Sequence, residues 1–203
     1  MQNYRDYVKQ IFPLGFEDLI YYYELTEYNG NYESYFQFCQ ENLLTQWQGL
    51  DFHPCFIYFR NDKELQALAR RLSTGEGIIE INNGLFEKLN DIFYQNRKFI
   101  SSLPGVSQLE DENLMDAPMY YLMFQELMLF LYYHELGHVI QFSQMNMMIT
   151  ERNMASKGFD NSLLLHVMEM DSDEIASNFT IHHIMATWEK APIEHVPTNS
   201  LKL

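Results

Sequence analysis

The sequence predicts an α+β fold, mostly helical, with a small β-sheet and two long helices in the C-terminal half. Three observations carry this reading. Short runs rich in β-branched and aromatic residues sit in the middle of the chain, at 54–60 (PCFIYFR) and 78–82 (IIEIN). Two long apolar stretches with helix-type starts follow, at 117–146 and 162–188. The 203 residues are 47% hydrophobic and 15% aromatic, ample for a packed core and too apolar for wholesale disorder.

Taken in order, the first fifty residues read as two or three helices, broken at Pro13-Leu14-Gly15 and at Asn29-Gly30-Asn31. A strand is expected at 54–60. Residues 62–72 (DKELQALARRL) have Asp62 as N-cap and apolar positions at helical spacing, which predicts a helix. The turn at 73–77 leads into a strand over 78–82 that Gly84 closes, and 85–96 returns to helix. Residues 101–116, with Pro-Gly, serines and acids, read as a loop. Asp116 before Ala117-Pro118 gives an N-cap and a first-turn proline, so a helix is expected over 117–146. The polar stretch 151–161 precedes the helix over 162–188, capped by Asn161 or Ser162, and an extended tail begins at 191. The chain is expected to be one domain, with 1–116 as a helical and small-sheet part, 117–190 as paired helices, and 191–203 as the tail.

The charge narrows the function. Twenty-eight acids against 13 bases give a formal net charge of −15, which argues against nucleic acid as a partner, because a phosphate backbone needs Lys and Arg to replace its counterions. Two cysteines, Cys39 and Cys55, cannot make a disulfide framework for this length. The N-terminal residues lack a basic segment followed by an apolar run, and with the cysteine count this leads us to expect a cytoplasmic protein. The apolar stretch 119–140 is interrupted by Gln125, Glu126, His134, Glu135 and His138, leaving at most seven uninterrupted residues, whereas a membrane span needs roughly twenty. A buried core helix is expected there.

That helix contains HELGH, residues 134–138. Positions i and i+4 share a helix face, so His134 and His138 can direct two ring nitrogens at one ion, at ~2.0–2.1 Å for zinc. Glu135 is turned about 100° round the axis and is placed to take a proton from a metal-activated water as general base. Gly137 leaves room beside the second histidine. A lone helical histidine is usually structural, but two histidines and a glutamate in an apolar helix are costly without partners. A third ligand is then required, and 164–179 (LLHVMEMDSDEIASNF) offers Glu169 and Asp173 on one face, with His166 a turn before and the small Ser172 and Ala176 alongside. Glu169 can complete a two-histidine, one-glutamate site. Asp173 can accept the outward N–H of a ligand histidine and fix its tautomer. Read without the first motif, the same acids would be an ordinary solvated face.

HELGH followed some thirty residues later by EMDSDEIA resembles the gluzincin metallopeptidases, whose second motif runs Glu-x-x-x-Asp-x-x-Ala, and most of all their compact M48-like and ImmA/IrrE-like members. The likeness covers residues 131–179, roughly a quarter of the chain. It implies a zincin-like domain that binds Zn²⁺ through His134, His138 and Glu169, uses Glu135 as base, and hydrolyses a protein or peptide substrate. ImmA-type sequences often carry Ala-Asn where this chain has Ser172-Asp173, which leaves the subfamily open. The metzincin pattern, with glycine at 141 and histidine at 144, is absent: both positions are glutamine. The likeness also implies that an extended substrate pairs with a sheet edge, for which 77–84 is the candidate. Candidates for an oxyanion donor are Tyr132, Tyr133, His182, His183 and His195, none singled out. His183, fourteen residues past Glu169, lies about 21 Å along a straight helix.

Two other readings compete. Glu135-x-x-His138 is half of a di-iron carboxylate motif, but the chain has no second Glu-x-x-His. The domain also reads as a zincin-like binding or regulatory protein whose acidic surface recognises a basic partner, or as a latent protease held shut by the 101–116 loop.

Overall fold

The computed structural model describes residues 3–45, 54–107, 117–144 and 162–190. The chain is α+β, and its described residues form six α-helices around a three-stranded mixed sheet. Helix α1 (Tyr4–Val8) runs into a 3-10 segment that ends at Gly15, whose φ of 86° is the left-handed conformation glycine tolerates. Helix α2 (Asn29–Thr45) follows; the Asn-Gly-Asn expected to break the chain forms its first turn. Its buried Tyr32, Tyr35, Phe36 and Cys39 fall at i, i+3, i+4 and i+7, one inward stripe.

Strands β1 (Cys55–Arg60), β2 (Ala67–Arg71) and β3 (Gly77–Asn82) come next, in the order β1-β3-β2, with β1 parallel and β2 antiparallel to β3. Two expectations are corrected here. Residues 62–72 are not a helix: Asp62 caps only a tight turn, its Oδ1 accepting from the Glu64 N–H at 3.0 Å, and 67–71 pairs with β3. Ala, Leu and Arg are strong helix formers, but propensity is worth at most ~1 kcal/mol per residue, and ladder pairing to β3 outweighs it here. Nor is 77–84 a sheet edge. Residues 77–82 form the central strand, buried throughout, while Asn83 and Gly84 begin α3 (Asn83–Gln95). Gly84 is required at that junction, because a Cβ there would stand 2.4 Å from the Lys63 carbonyl oxygen.

The two real edges differ. On β1, the Phe59 N–H donates to the Tyr4 hydroxyl at 2.9 Å and the Ile57 N–H to Tyr7 at 3.1 Å, while the Tyr21 N–H donates to the Phe59 carbonyl. Among the described residues no strand pairs with the outer edge of β2. One sheet face carries Glu80, fully buried, bound by Arg60 at 2.8 Å and by Arg70, so the carboxylate is compensated from both neighbouring strands. The opposite face joins the main core, in which Tyr32 stacks on Phe86 with ring centroids 3.9 Å apart.

After α4 (Arg97–Ser101), the two long helices are α5 (Met119–Gln144) and α6 (Ser162–Lys190). They pack along one another, and α5 also lies against β2, β3, α2 and α3. That enclosure explains why α5 is apolar nearly all round. None of the described helices is long and apolar enough to cross a membrane. The proposed caps Asp116 and Asn161, the stretch 151–161, most of the acidic part of 101–116 and the tail lie outside the described residues.

Candidate metal centre

Helix α5 presents His134 and His138 on successive turns, and α6 crosses beside them carrying Glu169 and Asp173. The close approach depends on small residues. A Cβ added to Gly137 would lie 3.0 Å from Ser172 Oγ and 3.1 Å from its Cα, and Ser172 and Ala176 are themselves fully buried. A larger residue at 137 would hold the helices apart.

Three donor atoms converge. His134 Nε2 and His138 Nε2 are 3.2 Å apart, and Glu169 Oε2 lies 3.4 Å from the first and 3.6 Å from the second. A tetrahedral zinc with bonds of ~2.0–2.1 Å places its ligand atoms ~3.3–3.4 Å from one another. The three separations bracket that spacing, so the donor set fits a single small cation in size and in chemistry. His134, His138 and Glu169 are also the group of described residues whose ligand atoms come together in this way.

The outward nitrogens are engaged elsewhere, which aims the inward ones. His134 Nδ1 pairs with Asp173 Oδ1 at 2.9 Å. His138 Nδ1 pairs with Gln141 Oε1 at 3.0 Å and lies 3.2 Å from Ser172 Oγ. Gln141 in turn donates from Nε2 to the Met168 carbonyl at 2.8 Å, tying α5 to α6 one residue before Glu169. Burial, and then the neighbouring His134, hold the His138 imidazole below its usual range, against the pull of Glu169. A neutral imidazole is the form that ligates a metal.

The predicted residues are thus disposed unequally. His134, His138, Glu169 and Asp173 form one contiguous cluster. Glu135 sits on the same turn of α5 and is 5% exposed. His166 is exposed and outside the cluster. Tyr132 donates to Asn42 Oδ1 at 2.9 Å and Tyr133 accepts from Asn42 Nδ2 at 3.2 Å, so both hydroxyls face the core. His182 pairs with the Asn178 carbonyl of its own helix, His183 faces Glu126 and Phe38, and His195 is outside the described residues. Sequence reasoning missed the part played by Gln141. Its place at i+3 from His138 was the available signal, since that spacing puts an amide within reach of the ring.

Comparison with family models, with curated proteins and with solved structures finds no match for this chain.

Proposed function

We propose that this chain is a zinc-dependent endopeptidase of the gluzincin kind. One observation carries the reading: two histidine nitrogens and a glutamate oxygen stand 3.2, 3.4 and 3.6 Å apart, each histidine fixed from behind by a hydrogen bond. His134, His138 and Glu169 would hold the ion. Zinc bound there would supply a Lewis acid that polarises a carbonyl and acidifies water toward a pKa of ~7. Asp173 holds the His134 tautomer, and Gln141 with Ser172 holds that of His138. Glu135 takes the proton of the attacking water and returns it to the leaving amine.

An extended substrate is best served by β2, whose outer edge pairs with no strand among the described residues. This strand lies against α5 just beyond the second histidine: Arg71 donates from Nη1 to the Phe142 carbonyl at 3.1 Å. Main-chain pairing along β2 would run a peptide past the metal.

The test is metal content together with cleavage. Purified protein should hold about one zinc per chain, and Glu135→Gln should keep the metal while losing peptidase activity. Glu169→Ala should retain far less zinc than wild type. Substrate is sought by comparing protein termini in cells expressing wild type or Glu135→Gln. Equal cleavage by Glu135→Gln, or unchanged zinc retention by Glu169→Ala, overturns the assignment.

A further inference from the structure

Away from the metal cluster, α5, α6 and α2 line a half-open cavity of about 130 Å³. Helix α2 lines it with Asn31, Ser34, Tyr35 and Phe38, again at i, i+3, i+4 and i+7. Helix α5 contributes Gln125, Glu126 and Leu129, and α6 contributes His183. Glu126 lies eight residues before His134, about 12 Å along the helix, so the cavity is separate from the metal centre.

Its odd member is Glu126. The Oε2 atom is buried without a hydrogen-bond partner among the described residues. The Oε1 atom is 3.9 Å from His183 Nε2, beyond hydrogen-bond length. No lysine or arginine is among the lining residues. A carboxylate held in a largely apolar cavity is costly unless a cation meets it. Burial accordingly pushes the Glu126 carboxyl up to about 7.

We infer that this cavity binds a small organic cation, with a primary ammonium on Glu126 and an apolar or aromatic body between Phe38 and Leu129. An ammonium has three N–H donors. The carboxylate accepts one, and the Ser34 hydroxyl and the side-chain carbonyls of Asn31 and Gln125 are acceptors on the same walls. The ring faces of Tyr35 and Phe38 add attraction for a cation. A cavity of ~150 Å³ can hold benzene, so this one suits a body of benzyl size. A bare divalent metal fits poorly, because Ca²⁺ or Mg²⁺ calls for about six oxygen ligands and only one carboxylate is present. This inference does not rest on the metal reading.

The probe is benzylammonium chloride, titrated into the full chain at pH ~8, where Glu126 is ionised and the amine protonated, with benzyl alcohol as the neutral comparator. Calorimetry should show saturable binding at one site, and amide chemical shifts should move around Ser34, Phe38 and Gln125. Glu126→Gln, whose fold is checked by its melting curve, should weaken binding by at least about tenfold, as loss of a charge-assisted hydrogen bond requires. Ser34→Phe, which keeps the carboxylate but fills the cavity, should also abolish it. The inference is overturned by equal binding to Glu126→Gln, by benzyl alcohol binding as tightly, by shifts centred on Glu169 and Asp173, or by no saturation up to ~10 mM.

Discussion

At the scale of single residues, the candidate site is governed by what stands behind each histidine. An imidazole offers a metal one nitrogen, and the hydrogen bond on the other decides which nitrogen that is. Asp173, 61% exposed at its side chain, does this for His134 with a 2.9 Å contact. Asp173→Asn keeps the shape and removes the charge, so zinc affinity should fall roughly 10- to 100-fold, the usual cost of losing such a partner. Competition with a chromophoric chelator measures this; affinity equal to wild type would show that Asp173 does not orient the ring. Gln141 is the counterpart behind His138. The glutamine that excludes a metzincin's motif is the residue that orients the second histidine here, a use the spacing permitted and only the packed structure displayed.

At the scale of elements, the site exists because two helices approach closely at Gly137 and Ser172. Alanine at 137 would gain up to ~1 kcal/mol of helix propensity, but its Cβ would press on Ser172 backbone that cannot swing aside. A leucine has no such offset. Gly137→Leu should destabilise the fold by ~1–3 kcal/mol and lower Tm by several degrees. Because it parts α5 from α6, it should also weaken zinc retention, and thermal melts with metal analysis read both. An unchanged Tm would mean that the contact is not tight in solution. The sheet shows the same dependence on neighbours. Residues 67–71 are a strand because β3 offers them a ladder, and β3 is central because β1 and β2 claim both of its sides.

At the scale of the whole molecule, acidic excess sets the context for Glu126, a half-buried carboxylate between three helices. Its folded pKa of about 7 exceeds the ordinary value of 4.5, so burial disfavours the ionised form. The resulting destabilisation is complete above about pH 7 and fades as pH falls toward 4.5, where the group is protonated folded or unfolded alike. His183 is the titratable group facing it from α6, and α2 presents it with no charge. Glu126→Gln should therefore raise stability by ~1–3 kcal/mol at pH 8, with the gain shrinking toward pH 4.5. Melting curves at both pH values decide this; a gain that does not depend on pH would place the effect elsewhere.

The sequence by itself determined the α+β class and the two long helices, and it singled out His134, His138 and Glu169, whose donor atoms the fold brings together. Those features rest on spacing within one helix, on long apolar runs and on local start signals, all of which act between near neighbours in the chain. Only the tertiary structure decided that 67–71 is a strand, that 77–82 is central, that Gln141 braces His138, and that Glu126 lies in a cavity with His183. Each of these depends on contacts between segments distant in sequence, where pairing and burial outweigh the weak preferences of the residues themselves.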